Sequence, residues 1–260
     1  MIKHKFYNIS PKQNPFNWDD HFYTENTILK NIDLYKPEIM FLGTFNPDLK
    51  NNHADFFYGR NYFWPAFKNL FNEGKVVLNE PRLTTKPFVP KLQEIFKLCI
   101  RLKLTFADLV ESVSDKHENY KSVVIQNKEY ILFGDMKYNL ISDMCLQKLN
   151  GLNKVNWNTE NIITYLKNNT QIKKIYLTRG LSLCWKTQVK QITQALPEIE
   201  IIPIYTPSAQ GGALHRQTGI YNNGKMVPLL RHWTKNNTGN YGSLNHNNWL
   251  MNNGVDINNF

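Results

Sequence analysis

Residues 41–48, which read Phe-Leu-Gly-Thr-Phe-Asn-Pro-Asp, place polar side chains directly after a short apolar run. Asn46 offers both a hydrogen-bond donor and an acceptor, and Asp48 can act as a base or stabilise positive charge. Gly43 permits close approach of the backbone to a ligand. Asn-Pro-Asp is also an ordinary turn sequence, and on this segment alone the turn is the favoured interpretation. The candidate ligand contacts of this loop are Gly43, Thr44, Phe45 and Pro47.

A second segment, residues 56–65, interrupts six aromatic residues with Gly-Arg-Asn. Aromatic side chains around polar groups can line a slot for a planar base. A core patch at the start of a helix is the simpler explanation of Phe63 and Trp64, whereas Arg60 and Asn61 are harder to explain as core. The candidate contacts to such a base are Phe57, Tyr58, Arg60 and Asn61.

A third segment, residues 205–216, follows an apolar run and is rich in small residues. Glycines and small residues expose backbone N–H groups that can hold phosphates, and the basic residues add positive charge. A surface loop is the alternative interpretation, and it is favoured for His215 taken alone. The candidate contacts to phosphates or to a base edge are Thr206, Pro207, Ser208, Ala209, Gln210, His215 and Arg216.

Alternating strands and helices must position these loops. Apolar runs at 38–42, 174–177 and 201–205 predict buried strands, and Pro203 predicts that the last is distorted or at an edge. Predicted helices cover 65–71, 91–102, 185–196 and 228–233. This alternation predicts an α/β fold with a largely parallel sheet covered on both faces, and ligands bind such sheets at the carboxyl ends of the strands.

The composition favours one domain with an anionic partner. The 260 residues include 31 Lys and Arg against 21 Asp and Glu, a formal net charge of +10, so nucleic acid is the first candidate partner. No apolar run approaches the roughly 20 residues of a membrane span, and residues 1–10 lack the apolar region of a signal peptide. Cys99, Cys145 and Cys184 are too few and too widely spaced for a zinc or iron–sulfur site, so we expect reduced thiols in the cytoplasm.

Taken together, the order of these segments resembles the uracil-DNA glycosylase superfamily. The resemblance lies in the loop 43–48, the Asn-Tyr-Phe-Trp sequence at 61–64, the Pro-Ser loop at 206–209 and the strand sequence at 104–112. It covers most of residues 38–233 and leaves 112–156 unmatched. It implies a three-layer α/β/α sandwich with a central, mostly parallel four-stranded sheet.

The chain departs from the superfamily pattern at Phe45, which occupies the position where most families carry the catalytic polar residue. Either Asn46 takes that role, or Phe45 only stacks on the base. The second case is similar to the hypoxanthine-DNA glycosylase branch, which relies on an asparagine that matches Asn61. Asn46, Asp48 and Asn61 therefore all remain candidates.

The resemblance implies a monofunctional DNA glycosylase that flips a damaged or modified base, hydrolyses its N-glycosidic bond and leaves an abasic site. No lysine occupies the motif loops as a nucleophile, so we expect no strand cleavage. The expected partner is DNA containing such a base. We expect a monomer that needs no metal, no cofactor and no membrane.

Three alternatives remain open. The chain could excise modified bases, such as modified cytosine, from phage DNA in antiviral defence, with residues 112–156 as an insertion that reshapes the pocket. It could instead be a catalytically silent DNA-binding protein on the same fold, or an unrelated nucleotide-binding α/β domain, although no Gly-rich phosphate fingerprint is present. The predicted organisation is one domain over 1–235 and an Asn-rich tail over 236–260.

Overall fold

The computed structural model describes residues 1–4, 36–49, 101–139, 142–204 and 249–252. The strands are β1 (Ile2–Lys3), β2 (Ile39–Gly43), β3 (Leu104–Asp108), β4 (Val110–Val113), β5 (Lys116–His117), β6 (Tyr120–Ile125), β7 (Lys128–Phe133), β8 (Met136–Asn139), β9 (Val155–Trp157), β10 (Lys174–Leu177) and β11 (Glu200–Pro203). The helices are α1 (Asp143–Gly151), α2 (Thr159–Asn168), α3 (Leu183–Ala195) and α4 (Trp249–Asn252).

The central element is a four-stranded sheet in the order β11-β10-β2-β3, in which every pair is parallel. The mixed α/β class and the four-stranded, largely parallel sheet are therefore as predicted. Strands β2, β3 and β10 are buried along their whole length, which explains why they appear in the sequence as continuous apolar runs. Strand β11 lies at an edge of the sheet, where Pro203 costs no ladder hydrogen bond to a further strand.

The two faces of this sheet have different cover. Met40 and Leu42 point toward the core cluster that α1, α2 and α3 share, and Trp185 of α3 is a fully buried member of that cluster. On the opposite face Phe41 stacks on Phe106 and contacts Tyr176, with ring centroids 5.4 Å apart in both pairs. All three rings are fully buried, so both faces are shielded from water.

A second, antiparallel sheet in the order β1-β4-β9 continues directly from the first. The segment predicted as one strand over 104–112 divides into β3 and β4, with Leu109 between them. The same run of chain therefore belongs to the parallel sheet at its start and to the antiparallel sheet at its end. This bend brings β1 to the carboxyl end of β3.

Most of the unmatched segment 112–156 forms a meander, β5-β6-β7-β8, in which all neighbours are antiparallel. Its hairpin between β6 and β7 turns through Gln126 and Asn127, which both have positive φ, as a type I′ turn requires. Tyr120 and Ile131 on one face are buried in the main core cluster.

Helices α1 and α2 and strand β9 were not predicted from the sequence. Helix α1 begins after Ser142, whose hydroxyl accepts a hydrogen bond from the Cys145 amide. The helix predicted over 185–196 is α3. Within the expected tail, α4 is a short helix. The predicted helices over 65–71 and 228–233 lie outside the described residues, as does that over 91–102 apart from Arg101 and Leu102, which are helical.

Candidate functional site

The order of the parallel strands marks one place at the edge of the sheet. Strand β3 lies on one side of β2, and β10 and β11 lie on the other, so the direction of winding changes between β2 and β10. In open α/β sheets, ligands bind outside the carboxyl ends of the strands at such a switch point. The loop after β2 is the one that the sequence analysis selected.

The residues of this loop differ in their exposure. Gly43 and Pro47 are buried, Thr44 and Phe45 are half-buried, and Asp48 is exposed. The Asn46 side chain is only 8% exposed. The carbonyls of Gly43 and Thr44 accept hydrogen bonds from the amides of Leu109 and Val110, at 3.1 and 2.9 Å, which fix the start of the loop to the bend between β3 and β4.

Strand β1 holds the other end of the loop. His4 forms a bridge with Pro47, and the amide of Asp48 donates a hydrogen bond of 2.8 Å to the carbonyl of Lys3. His4 in turn donates its amide to the carbonyl of Glu111, so β1 is bound on both sides. The first four residues therefore set the backbone position from which Asp48 faces solvent.

A buried His–Asp pair lies beneath this loop. Nε2 of His4 is 3.0 Å from Oδ2 of Asp108, and the two residues are 1% and 3% exposed. Asp108 ends β3 and pairs in register with Gly43, which places the carboxylate at the same edge of the sheet as the loop. The His4 ring also lies 6.2 Å from that of Phe45. With Asp108 ionised, the carboxylate accepts and the imidazole N–H donates.

Two neighbours complete the surroundings of the pair. Asn158 is fully buried and donates its side-chain amide to the carbonyl of Asp108 at 3.0 Å. Burial raises the pKa of the Glu111 carboxyl, and the charge of His4 opposes this increase. A network of polar groups therefore lies at the carboxyl edge of the sheet. Hydrogen bonds within such a network are stronger in low-dielectric surroundings than in water, provided that each group has a partner.

The loop after β10 is the second side of the switch point, and the sequence analysis assigned it no function. Thr178 donates both its amide and its hydroxyl to the carbonyl of Leu42, at 3.0 and 3.2 Å. Arg179 stacks over Trp185 at 4.3 Å and forms an ion pair of 2.8 Å with Asp143. The signal in the sequence that could have found this loop is its position directly after the buried apolar run 174–177, because ligands bind α/β sheets at the carboxyl ends of strands.

Two leucines protrude from this second loop. Leu181 and Leu183 are 45% and 46% exposed, and Leu183 has a φ of +55°. A branched side chain in this left-handed region costs roughly 1–3 kcal/mol, which the surrounding structure must offset. Large exposed apolar side chains beside a candidate binding loop are suited to contact a partner.

Of the three segments that the sequence analysis selected, only residues 41–48 lie within the described residues. Asn46 and Asp48 lie on the same loop, with Asn46 turned inward and Asp48 outward. Asn61 lies outside the described residues. The same holds for Phe57, Tyr58, Arg60, Thr206, Pro207, Ser208, Ala209, Gln210, His215 and Arg216. His4 and Asp108 are site residues that the sequence analysis did not select.

Among the described residues no group of three or more His, Cys, Asp or Glu side chains is placed to hold a metal ion. None of the described helices is long and apolar enough to cross a membrane.

Comparison with protein-family models, with curated proteins and with solved structures finds no match to the chain.

Proposed function

We propose that the chain is a monofunctional DNA glycosylase that hydrolyses the N-glycosidic bond of a flipped, damaged or modified base. One observation carries the proposal: the loop 43–48, which the resemblance assigns to the base pocket, lies at the switch point of a parallel sheet. Its amide residue Asn46 is turned inward while its carboxylate residue Asp48 faces solvent. Ligands are expected at this position on physical grounds alone.

The chemistry of Asn46 and Asp48 suits the two charges that develop in the reaction, which are negative on the base and positive on the sugar. Cleavage leaves the bonding electron pair on the departing base nitrogen and develops positive charge on the sugar. An amide N–H from Asn46 stabilises the departing base, and a single such donor contributes roughly 2.7–4 kcal/mol in comparable sites. Asp48 orients the attacking water, whose oxygen bonds to the sugar carbon and whose proton goes to the base or to solvent.

Other described residues have supporting roles in this proposal. Phe45 is half-buried beside Asn46, so its ring can stack on the flipped base. Leu181 protrudes from the neighbouring loop and can fill the space that the base leaves in the duplex. His4 and Asp108 act as positioning residues, because they fix the strand that holds Asp48.

The proposal also includes the complete three-layer sandwich, a monomeric state and a cytoplasmic location. The complete burial of Phe41, Phe106 and Tyr176 on the face opposite α1, α2 and α3 supports a covering layer on that side. The buried, free cysteines Cys145 and Cys184 support a location in a reducing compartment.

The test is release of free base from a panel of DNA duplexes, measured by mass spectrometry in EDTA. The panel contains uracil, hypoxanthine, mismatched thymine and phage-type modified cytosines. The variants are Asn46→Ala, Asp48→Ala and Asn61→Ala. The matched control is Asn168→Ala, which makes the same change at an exposed position of α2.

Release of one base by the wild type and by the control, with at least a hundredfold loss in Asn46→Ala or Asp48→Ala, supports the proposal. The identity of that base distinguishes repair of damage from removal of phage-type bases. A hundredfold loss confined to Asn61→Ala would transfer the catalytic role to that residue. DNA binding without release of any base in the panel would favour the silent DNA-binding protein and refute the proposed activity.

A further inference from the structure

We propose that the outer face of the β5–β8 meander is a binding surface for the sugar–phosphate backbone of nucleic acid. We call this surface the lysine face, and its members are Lys116, Lys121, Val123, Ile125, Lys128, Tyr130, Leu132, Lys137 and Asn139. The inference does not depend on the glycosylase reaction, because none of these residues belongs to the candidate site.

The strand register defines the lysine face. Lys121 pairs with Lys116 on one side and with Leu132 on the other, and Leu132 pairs with Lys137. Side chains alternate between the two faces of a strand, so these four lie in one row across the sheet. Ile131, the neighbour of Leu132, points the opposite way into the core. The row is therefore on the side that faces solvent.

The charge of the lysine face has one sign. Its four lysines are all exposed, and within the described meander no Asp or Glu shares the face. Glu118 and Asp135 lie in turns, and Glu129 lies on the opposite side in register with Val124. Like charges directly opposite on neighbouring strands are destabilising, and Lys116 and Lys121 are such a pair. A polyanion would remove that repulsion.

The uncharged members favour nucleic acid over a lipid surface. Val123, Tyr130 and Leu132 are half-buried and form a flat floor between the lysines. Ile125, at the hairpin end of β6, is the one exposed apolar side chain on this face, and a single such side chain gives little insertion into a bilayer. Nζ of Lys137 lies 4.7 Å from the centre of the Tyr130 ring, which holds this cation over the middle of the sheet. Sheets that combine basic and aromatic side chains on one open face are a common platform for nucleic acids.

The experiment compares the full-length wild type with the double variant Lys121→Gln/Lys137→Gln. The matched control is Lys186→Gln/Lys190→Gln, which removes the same charge from exposed positions of α3. Binding of fluorescein-labelled, undamaged single- and double-stranded DNA is measured by anisotropy from 50 to 200 mM NaCl. Vesicles with 30% anionic lipid form a third arm, and thermal unfolding checks the fold of each variant.

We expect the double variant to bind DNA roughly tenfold more weakly at low salt and to lower the slope of log Kd against log salt by about 1.4–1.8, as two lost phosphate contacts predict. We expect the control to stay within about twofold of the wild type. We expect the Tm of the double variant to be unchanged or higher, because a charge repulsion has been removed. At saturating enzyme, single-turnover base release should persist in the double variant, which separates this test from that of the proposed function.

Equal weakening by the double variant and the control would show that only net charge matters and would overturn the proposal. Loss of vesicle binding without loss of DNA binding would also overturn it, in favour of a membrane surface.

Discussion

Substitution of His4 by Phe is the most informative perturbation of the site. The Phe ring keeps an aromatic side chain beside Phe45 and removes the nitrogen that lies 3.0 Å from Asp108. The Asp108 side chain, which is only 5% exposed in the wild type, then loses its ring partner. Breaking a buried pair in this way typically costs about 3–5 kcal/mol, because the remaining charge stays out of water.

The energy of the interaction between His4 and Asp108 can be isolated with a second variant, Asp108→Asn. In that background the partner is neutral, and loss of the His4 hydrogen bond should cost only about 0.5–1.5 kcal/mol. The coupling energy in the double-mutant cycle is therefore expected to be about 1.5–4.5 kcal/mol. Urea unfolding at pH 7, followed by far-UV circular dichroism, gives the four free energies of unfolding.

A coupling energy below about 0.5 kcal/mol would refute the reasoning that the two side chains are energetically coupled.

Leu181 and Cys145 allow two further predictions. Leu181→Ala should slow single-turnover base release roughly tenfold from a fully paired duplex and less than twofold from a mismatched duplex. The difference is expected because a mismatched base is already easier to unstack. Equal slowing on both duplexes would contradict the role of Leu181 in filling the space that the base leaves. Burial raises the pKa of the Cys145 thiol to about 12, so the unfolded chain releases this proton at lower pH than the folded one. The wild type should therefore lose up to about 2 kcal/mol more stability than Cys145→Ala between pH 8 and pH 10.5, measured by urea unfolding, and parallel pH profiles would exclude the effect.

The parallel sheet could be predicted from sequence because its strands are short apolar runs with clear ends. Residues 174–177 coincide with β10, and the run 38–42 differs from β2 by one residue at each end. Fully buried strands must be apolar on both faces, so their sequence is distinctive. The order of the strands could not be predicted in the same way, since it depends on pairings between distant segments.

The His4–Asp108 pair illustrates what sequence could not supply. The two residues are separated by 104 positions, and β1 is only two residues long. So short a strand has no detectable periodicity, and its pairing with β4 is a property of the tertiary fold. From the sequence Asp108 could be assigned only to a strand, because its partner His4 lies at the start of the chain.

The meander was hard to predict for a different reason. The β6–β7 turn uses Gln126 and Asn127 at positive φ, whereas the strongest hairpin signal is Asn-Gly or Asp-Gly. Each of its strands also contains one lysine together with other polar residues, which lowers their hydrophobicity below that of the buried strands. These lysines form the lysine face, so the residues that made the strands hard to predict are the ones that give the surface its charge.

The distribution of charge in the described residues connects the two proposals. At the carboxyl edge of the sheet Asp48, Asp108 and Glu111 are acidic, and Arg179 is held in an ion pair with Asp143. Such an edge suits a reaction that develops positive charge on a sugar, but it attracts a phosphate backbone weakly. Among the described residues, the exposed cations that would attract DNA therefore lie mainly outside this edge. The lysine face provides exposed positive charge on a rigid sheet outside the site, where it can add affinity without neutralising the carboxylates at the switch point.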